Sequence, residues 1–191
     1  NETIDSNYVS SVGKFVDKFE KSISSLTTSK YSIATVNGTS ALQIALILGN
    51  VKLGDEVLTQ ALSFVATSNA ISYLKAKPVF IDVDIDTMGM SPLALESFLE
   101  EFGEKRETGT YNKLTGSKIS ACLPMHTFGF MCRIDEIKKI CLKWKINLIE
   151  DSAEALGSQY KLKYSGTFGL LSAYSFNGNK IITSGGGGCI T

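Results

Sequence analysis

Apolar runs of strand length alternate with helical patterns along most of this chain, and no other feature restricts its fold so sharply. The runs are Tyr31 to Val36, Glu56 to Thr59, Pro78 to Asp82, Lys118 to Leu123 and Ile146 to Glu150, with a further pair near Ala173 to Ser175 and Gly188 to Thr191. Helical stretches fall between them at Ser40 to Leu48, Ser63 to Leu74, Ser91 to Phe102 and Ile134 to Lys143, and an amphipathic helix near Val12 to Ile23 precedes the first run. Strands separated by helices pair in parallel, so the expected fold is α/β, a mostly parallel sheet sandwiched by helices. At 191 residues the chain is long enough for one domain that buries roughly 70% of its unfolded surface.

Within that frame, the helix Ser40 to Leu48 carries apolar side chains almost all round and is expected to be buried. The polar stretch Glu104 to Ser117 reads as an exposed loop. The sequence stops three residues past Ser184-Gly185-Gly186-Gly187-Gly188, inside an apparent strand, and the expectation is therefore of the N-terminal part of a longer polypeptide.

Charge and residue counts remove several classes of function. The 19 basic and 19 acidic residues cancel, which leaves no field to gather nucleic acid or anionic lipid. No apolar run approaches the roughly 20 residues of a membrane helix, and Asn1 to Asp5 lacks the pattern of a signal peptide. Cys122, Cys132, Cys141 and Cys189 form no CxxC pair and His126 is the only histidine, so no metal site is expected. Widely spaced thiols of this kind suit a reducing compartment, and the expected location is cytoplasmic. The alternation Asp82, Asp84, Asp86 puts Thr87 and Leu93 where a calcium loop needs glycine and glutamate, and reads as a turn.

In an open parallel sheet, ligands bind beyond the carboxyl ends of the strands. Residues just after each run are therefore the candidates. Gly38, Thr39 and Ser40 form a turn into a helix, which is either an anion site or a plain cap. Asp151 ends a buried strand beside Glu150, where a carboxylate is costly unless it meets a cation or donors, and it reads equally as a cap of the next turn; Glu154, three residues on, lies near Asp151 if a helical turn follows and otherwise faces solvent. Ser175 and Lys180 follow the next run; a lysine among apolar and small residues can lose its proton to burial and act as a nucleophile, but taken alone Lys180 reads as a solvated surface residue. Neither GxxxxGK[ST] nor GxGxxG is present. Phe64 opens a helix and, taken alone, reads as core. His126 follows a strand end and reads equally as a substrate contact, a structural donor or a stacked core ring.

In order along the chain, Asn37-Gly38-Thr39-Ser40-Ala41-Leu42, Ser63-Phe64-Val65-Ala66-Thr67, Pro78 to Asp84, Glu150-Asp151-Ser152-Ala153-Glu154 and Ser175-Phe176-Asn177-Gly178-Asn179-Lys180 together resemble the DegT family of nucleotide-sugar aminotransferases. These are fold type I enzymes that use pyridoxal 5'-phosphate. Pro124 to Gly129 and the glycine tail after Lys180 are most similar to the branch of legionaminic-acid-type sugar pathways. The resemblance implies that residues 1–191 are the cofactor-binding large domain, followed by a small C-terminal domain, in a homodimer. It implies Lys180 as the amine bonded to the cofactor, Asp151 on the pyridinium nitrogen, and Phe64 stacked on the ring. Gly38, Thr39, Ser40 and Ser175 would lie at the phosphate, Glu154 near the cofactor's hydroxyl side, and His126 toward the substrate. The implied reaction moves an amino group, from glutamate, to a nucleotide-linked 4-keto-6-deoxyhexose for surface-polysaccharide amino sugars, a UDP-linked one ahead of GDP- or dTDP-linked sugars. Lys180 argues against a related dehydratase branch that carries histidine at that place. Amination at C3, or a regulatory or assembly protein that keeps the fold, is the alternative.

Overall fold

The computed structural model describes residues 2–191. In chain order its elements are α1 (Glu2–Asp5), α2 (Lys14–Thr27), β1 (Ile33–Thr35), α3 (Gly38–Leu48), β2 (Glu56–Gln60), α4 (Val65–Tyr73) and β3 (Lys77–Ile81). There follow α5 (Pro92–Phe102), β4 (Gly103–Arg106), β5 (Gly109–Asn112), β6 (Lys118–Cys122), α6 (Ile134–Lys143) and β7 (Asn147–Asp151). The chain closes with β8 (Gln159–Tyr160), β9 (Lys163–Tyr164), β10 (Leu171–Ser175) and β11 (Gly188–Ile190).

Seven strands lie in the order β1-β11-β10-β7-β6-β2-β3, and β5 joins β6 to add the β4–β5 hairpin. The pairs from β10 through β3 are parallel, as the alternation requires. Of these seven strands only β11 runs the other way, antiparallel to both β1 and β10. Two antiparallel pairings restore the direction, so β1 ends at the same edge as β2, β6, β7 and β10. Every chain segment leaving that edge therefore starts near the others.

Alternating residues of each strand feed two apolar layers. On one face Val57, Ala121, Ile149 and Ala173 pack under Ala41, Leu42, Ala45 and Leu46 of α3 and Ala70 and Ile71 of α4. On the other, Leu58, Cys122 and Leu148 pack under Leu95 and Leu99 of α5 and Ile134 and Ile137 of α6. Ile23 of α2 meets Tyr174, Phe176 and Cys189. All four cysteines are buried and unpaired, and among the described residues no helix is long and apolar enough to cross a membrane. Arg133 ties Asp84 and Asp86 down as ion pairs, which accounts for two of the three alternating aspartates.

Two expectations need correction. Helix α3 is not buried all round: Ile44, Ile47 and Leu48 are exposed, because only one side of it meets the sheet. The stretch Glu104 to Ser117 is not a plain exposed loop, since it contains most of the β4–β5 hairpin, with Thr110 and Asn112 buried. Its polar composition is satisfied internally. Buried Glu56 accepts from Asn112 Nδ2 at 2.9 Å and Thr115 Oγ1 at 2.6 Å.

The closest backbone approach near the shared edge is at Gly188. A Cβ there would lie 2.4 Å from the carbonyl carbon and oxygen of Asn37, the residue that caps α3. Backbone cannot retreat as a flexible side chain can. Gly188→Ala should therefore lower stability by about 1–3 kcal/mol in urea denaturation. Gly186→Ala, where the added carbon meets nothing within 4 Å, should stay within about 0.5 kcal/mol of the parent.

Candidate functional site

At the shared strand edge, a cavity of about 230 Å³ is bounded by the starts of α3 and α4, the end of β7, and the turn after β10. Each wall has a local cause. Asn37 is extended and its Oδ1 accepts from Ser40 N at 2.8 Å, which starts α3, and Gly38 and Thr39 of its first turn line the cavity. Gly38 is required by crowding: a Cβ would come 2.8 Å from Ser175 Cβ. Phe64 caps α4 from an extended backbone and keeps its ring 60% exposed.

Beyond β10 the chain turns through Asn177 to Lys180 and returns by the glycine run, closed by Phe176 N to Gly187 O at 2.9 Å and Ser184 N to Phe176 O at 3.1 Å. Gly185 and Gly187 have φ of 84° and 129°, values that favour glycine, so the run is what lets the chain double back. The turn delivers Lys180 to the cavity with its side chain only 9% exposed. Its Nζ lies 3.0 Å from Glu154 Oε1 and 5.5 Å from the centre of the Phe64 ring. Glu154 Oε2 accepts from the amide of Phe128 at 3.0 Å, so one carboxylate holds both the lysine and a turn whose Phe128 has φ of 54°.

Asp151 is buried at the end of β7. Its Oδ2 accepts from Thr67 Oγ1 at 2.7 Å and its Oδ1 from Ala153 N at 3.1 Å. Burial pushes its carboxyl above the ordinary aspartate range, against the Thr67 and Ala153 donors and the charges of His126 and Lys180. A cation brought to this carboxylate would offset that cost.

Consecutive strand residues point to opposite faces, so Glu150 turns away from the cavity. There it accepts from Phe168 N and Gly169 N at 2.7 Å each, Gly166 N at 2.9 Å and His126 Nε2 at 3.0 Å. Burial opposes its charge, but the His126 ring and these amides hold the Glu150 carboxyl below its usual value. His126 is fully buried, and its Nδ1 lies 3.5 Å from Cys132 Sγ. Burial works against a charged ring here too, yet Cys132 and Glu150 outweigh it and raise His126 to about 10.

Gly38, Thr39, Phe64, Asp151, Ser175 and Lys180 thus meet at one cavity. Ser40 is not among the residues lining it, its amide being used by the Asn37 cap. Glu154 touches Lys180 without lining the cavity. The expected substrate contact at His126 has to be corrected, because a ring with no exposed surface and both nitrogens engaged cannot meet a substrate. Of the three roles open to it, the geometry fits the structural donor. Reading Phe64 alone as core is also corrected by its exposure. Thr67, Asn177 and Asn179 were not foreseen as site residues; Thr67 lies three residues after the helix-capping Phe64, a position whose side chain faces the same end of the sheet.

This arrangement suits a flat, phosphorylated ring that carries a cationic nitrogen and an electrophilic carbon. The carboxylate, the amine, the aromatic face and the helix start each have a counterpart on such a molecule. Known proteins point the same way. The pattern of the DegT/DnrJ/EryC1/StrS aminotransferase family matches residues 1–191. The chain is 43% identical over 190 residues to a putative pyridoxal phosphate-dependent aminotransferase, EpsN, of Bacillus subtilis, covering 100% of this chain and 46% of that protein. It is 38% identical over 190 residues to a GDP-perosamine synthase of Escherichia coli O157:H7, covering 100% and 48%. The PLP form of a putative sugar aminotransferase, Spr1654, of Streptococcus pneumoniae superposes with a TM-score of 0.83 at 26% identity, covering 100% of this chain and 49% of that one. The chain spans about half the length of the curated relatives it matches.

The buried His126–Glu150 pair makes stability depend on pH in a defined direction. His126 is raised from 6.5 to about 10, so its contribution is complete below pH 6.5 and lost as pH climbs toward 10. Glu150 is lowered from 4.5, so its contribution is complete above pH 4.5 and lost on acidification. Both are present in full between pH 4.5 and 6.5. Asp151, raised from 3.8, adds a loss of its own as pH climbs above that value, and thiols raised from 9.0 add theirs only above 9.0. Urea unfolding between pH 6.5 and 9.0 should therefore show a decline that is smaller in His126→Asn, and Glu150→Ala should cost about 3–5 kcal/mol at the lower end of that interval.

Proposed function

We propose, for a chain that belongs to the DegT/DnrJ/EryC1/StrS aminotransferase family, that the full polypeptide transfers an amino group to the keto group of a nucleotide-linked 6-deoxyhexose, with L-glutamate as donor. The observation that carries this reading is the meeting of the Lys180 amine, the buried Asp151 carboxylate and the open Phe64 ring in one cavity. Pyridoxal 5'-phosphate, when bound, supplies an electrophilic carbon for amines and a cationic ring that takes up electrons. Lys180 Nζ is the amine that would hold the cofactor at that carbon and would serve as the proton-carrying base and acid of the site. Glu154 Oε1, at 3.0 Å, orients the amine.

Asp151 would hold the ring nitrogen, with Thr67 and Ala153 fixing its two oxygens. Opposite charges 4 Å apart are worth about 4 kcal/mol at an effective dielectric near 20. Phe64 would lie against the ring, and Gly38, Thr39 and Ser175 would hold the phosphate. Residues 1–191 are on this reading the large domain of a homodimer; the exposed Ile44, Ile47 and Leu48 of α3 supply apolar surface for a partner. Four unpaired thiols support a cytoplasmic location. The relative named GDP-perosamine synthase makes a GDP-linked 4-keto sugar the first substrate to test, ahead of the UDP-linked sugars of the legionaminic-acid branch.

Mixing the full-length polypeptide with pyridoxal phosphate should give the near-visible absorption of a lysine-bound cofactor, lost in Lys180→Ala. Glutamate and the keto-sugar should then release 2-oxoglutarate. Asp151→Asn should reduce the rate about a thousand-fold, the equivalent of the charge interaction given up. An unchanged spectrum in Lys180→Ala, or binding with no 2-oxoglutarate from any nucleotide keto-sugar, would reject the reading.

A further inference from the structure

Residue 126 grips two consecutive residues of β7 at once. Its backbone N donates to the Asp151 carbonyl at 3.1 Å, and its ring Nε2 meets Glu150 Oε2 at 3.0 Å. Asp151 N in turn donates to Pro124 O at 2.9 Å. The segment after β6 and the end of β7 are thereby locked on both sides of the sheet, with Asp151 on the cavity side. We propose that His126 and Glu150 form a buried ion pair that acts as a positioning device for Asp151, holding its carboxylate charged and fixed in the cavity. This rests on the reading of Asp151 as the partner of the cofactor's ring nitrogen.

The need for such a device follows from the surroundings of Asp151. It is buried and receives one hydroxyl and one amide, fewer donors than the four that Glu150 receives. Unaided, a carboxylate so placed tends to keep its proton, and a protonated Asp151 does not hold a cationic ring. Two cations act on it, His126 and Lys180. Lys180 is held by Glu154 at 3.0 Å, whereas His126 is fixed from the other side of the strand by its backbone and ring contacts to β7.

The groups facing the ring are Glu150 and Asp151 from β7 and Cys132 from the segment before α6. Tyr174 of β10 faces Glu150 and donates to the Ser165 carbonyl. We assign the charge on His126 to Glu150, whose carboxylate is kept ionised by three amides; Cys132 contributes only with its thiol ionised. Cys132, His126 and Glu150 stand in the order of a nucleophile, base and carboxylate, but neither Cys132 nor His126 has any exposed surface, so no substrate reaches them.

The test is made on the cofactor-free full-length polypeptide, with ¹⁵N-labelled histidine and ¹³C-labelled aspartate carboxyls read by NMR. Signals are assigned by their loss in His126→Asn and Asp151→Asn. The His126 ring should stay doubly protonated at about pH 7 in the parent and in Cys132→Ser, and become neutral in Glu150→Gln. Asp151 should titrate higher by about one pH unit or more in Glu150→Gln, and His126→Asn should give the same shift should the glutamine variant not fold. A neutral ring in the parent, discharge by Cys132→Ser alone, or an Asp151 titration unmoved to within about 0.3 unit would overturn the proposal. With cofactor present, the acid limb of kcat should move up by the same amount in Glu150→Gln. A parent that shows the NMR behaviour but no transamination would instead fault the functional reading.

Discussion

Burying two consecutive carboxylates at the end of one strand is the most demanding thing this chain does, and much of its construction answers that demand. An unpaired buried carboxylate costs several kcal/mol. Because strand side chains alternate, Glu150 and Asp151 meet different environments although they are neighbours in sequence. Glu150 is supplied with three amides of the Gly166–Gly169 turn and a histidine ring. Asp151 is left with two donors and a cavity. The first arrangement is a finished structural interaction, while the second leaves a buried carboxylate with two donors at the wall of a cavity.

What brings the other residues to Asp151 is the direction of the strands. With β1, β10, β7, β6 and β2 all ending at one edge, the segments leaving them converge without long excursions. The reversed strand β11 is what makes β1 part of this set. It fits between β1 and β10 only because Gly188 lets its backbone pass the carbonyl of Asn37, the cap of the helix that borders the cavity. Packing of the sheet and shape of the site share that one contact.

The parts of this arrangement that depend on periodicity were legible in the sequence. The alternation of runs and helices gave the parallel sheet and its helices on both faces, and the rule that ligands sit past the strand ends picked out Gly38, Asp151, Ser175 and Lys180 as candidates, while Phe64 taken alone reads as core and becomes a candidate only through the resemblance. Features that depend on what lies across a fold were not legible. Helix α3 reads as buried all round, but sequence cannot say that only one of its sides faces the sheet. The β4–β5 hairpin is hidden by its polar residues, which are satisfied by Glu56, distant in sequence. His126 was open to three roles because its partners, Glu150 and Cys132, are fixed only by tertiary structure. Thr67 carries no signal until Asp151 is placed beside it, 84 positions away.

The two charges of the cavity are handled in opposite ways, and this asymmetry says what it can hold. Lys180 meets a full counter-charge in Glu154 at 3.0 Å, so the amine adds little net field. Asp151 has neutral donors only at its oxygens, so its charge is uncompensated at contact distance. A simple anion would gain the helix start at Gly38 and Thr39 but would be repelled by Asp151. A simple cation would gain Asp151 and nothing from the helix. A ligand that carries negative charge at one end and positive charge further along engages both the helix start and Asp151. Burial strengthens each of these preferences, because charges within the wall are poorly screened.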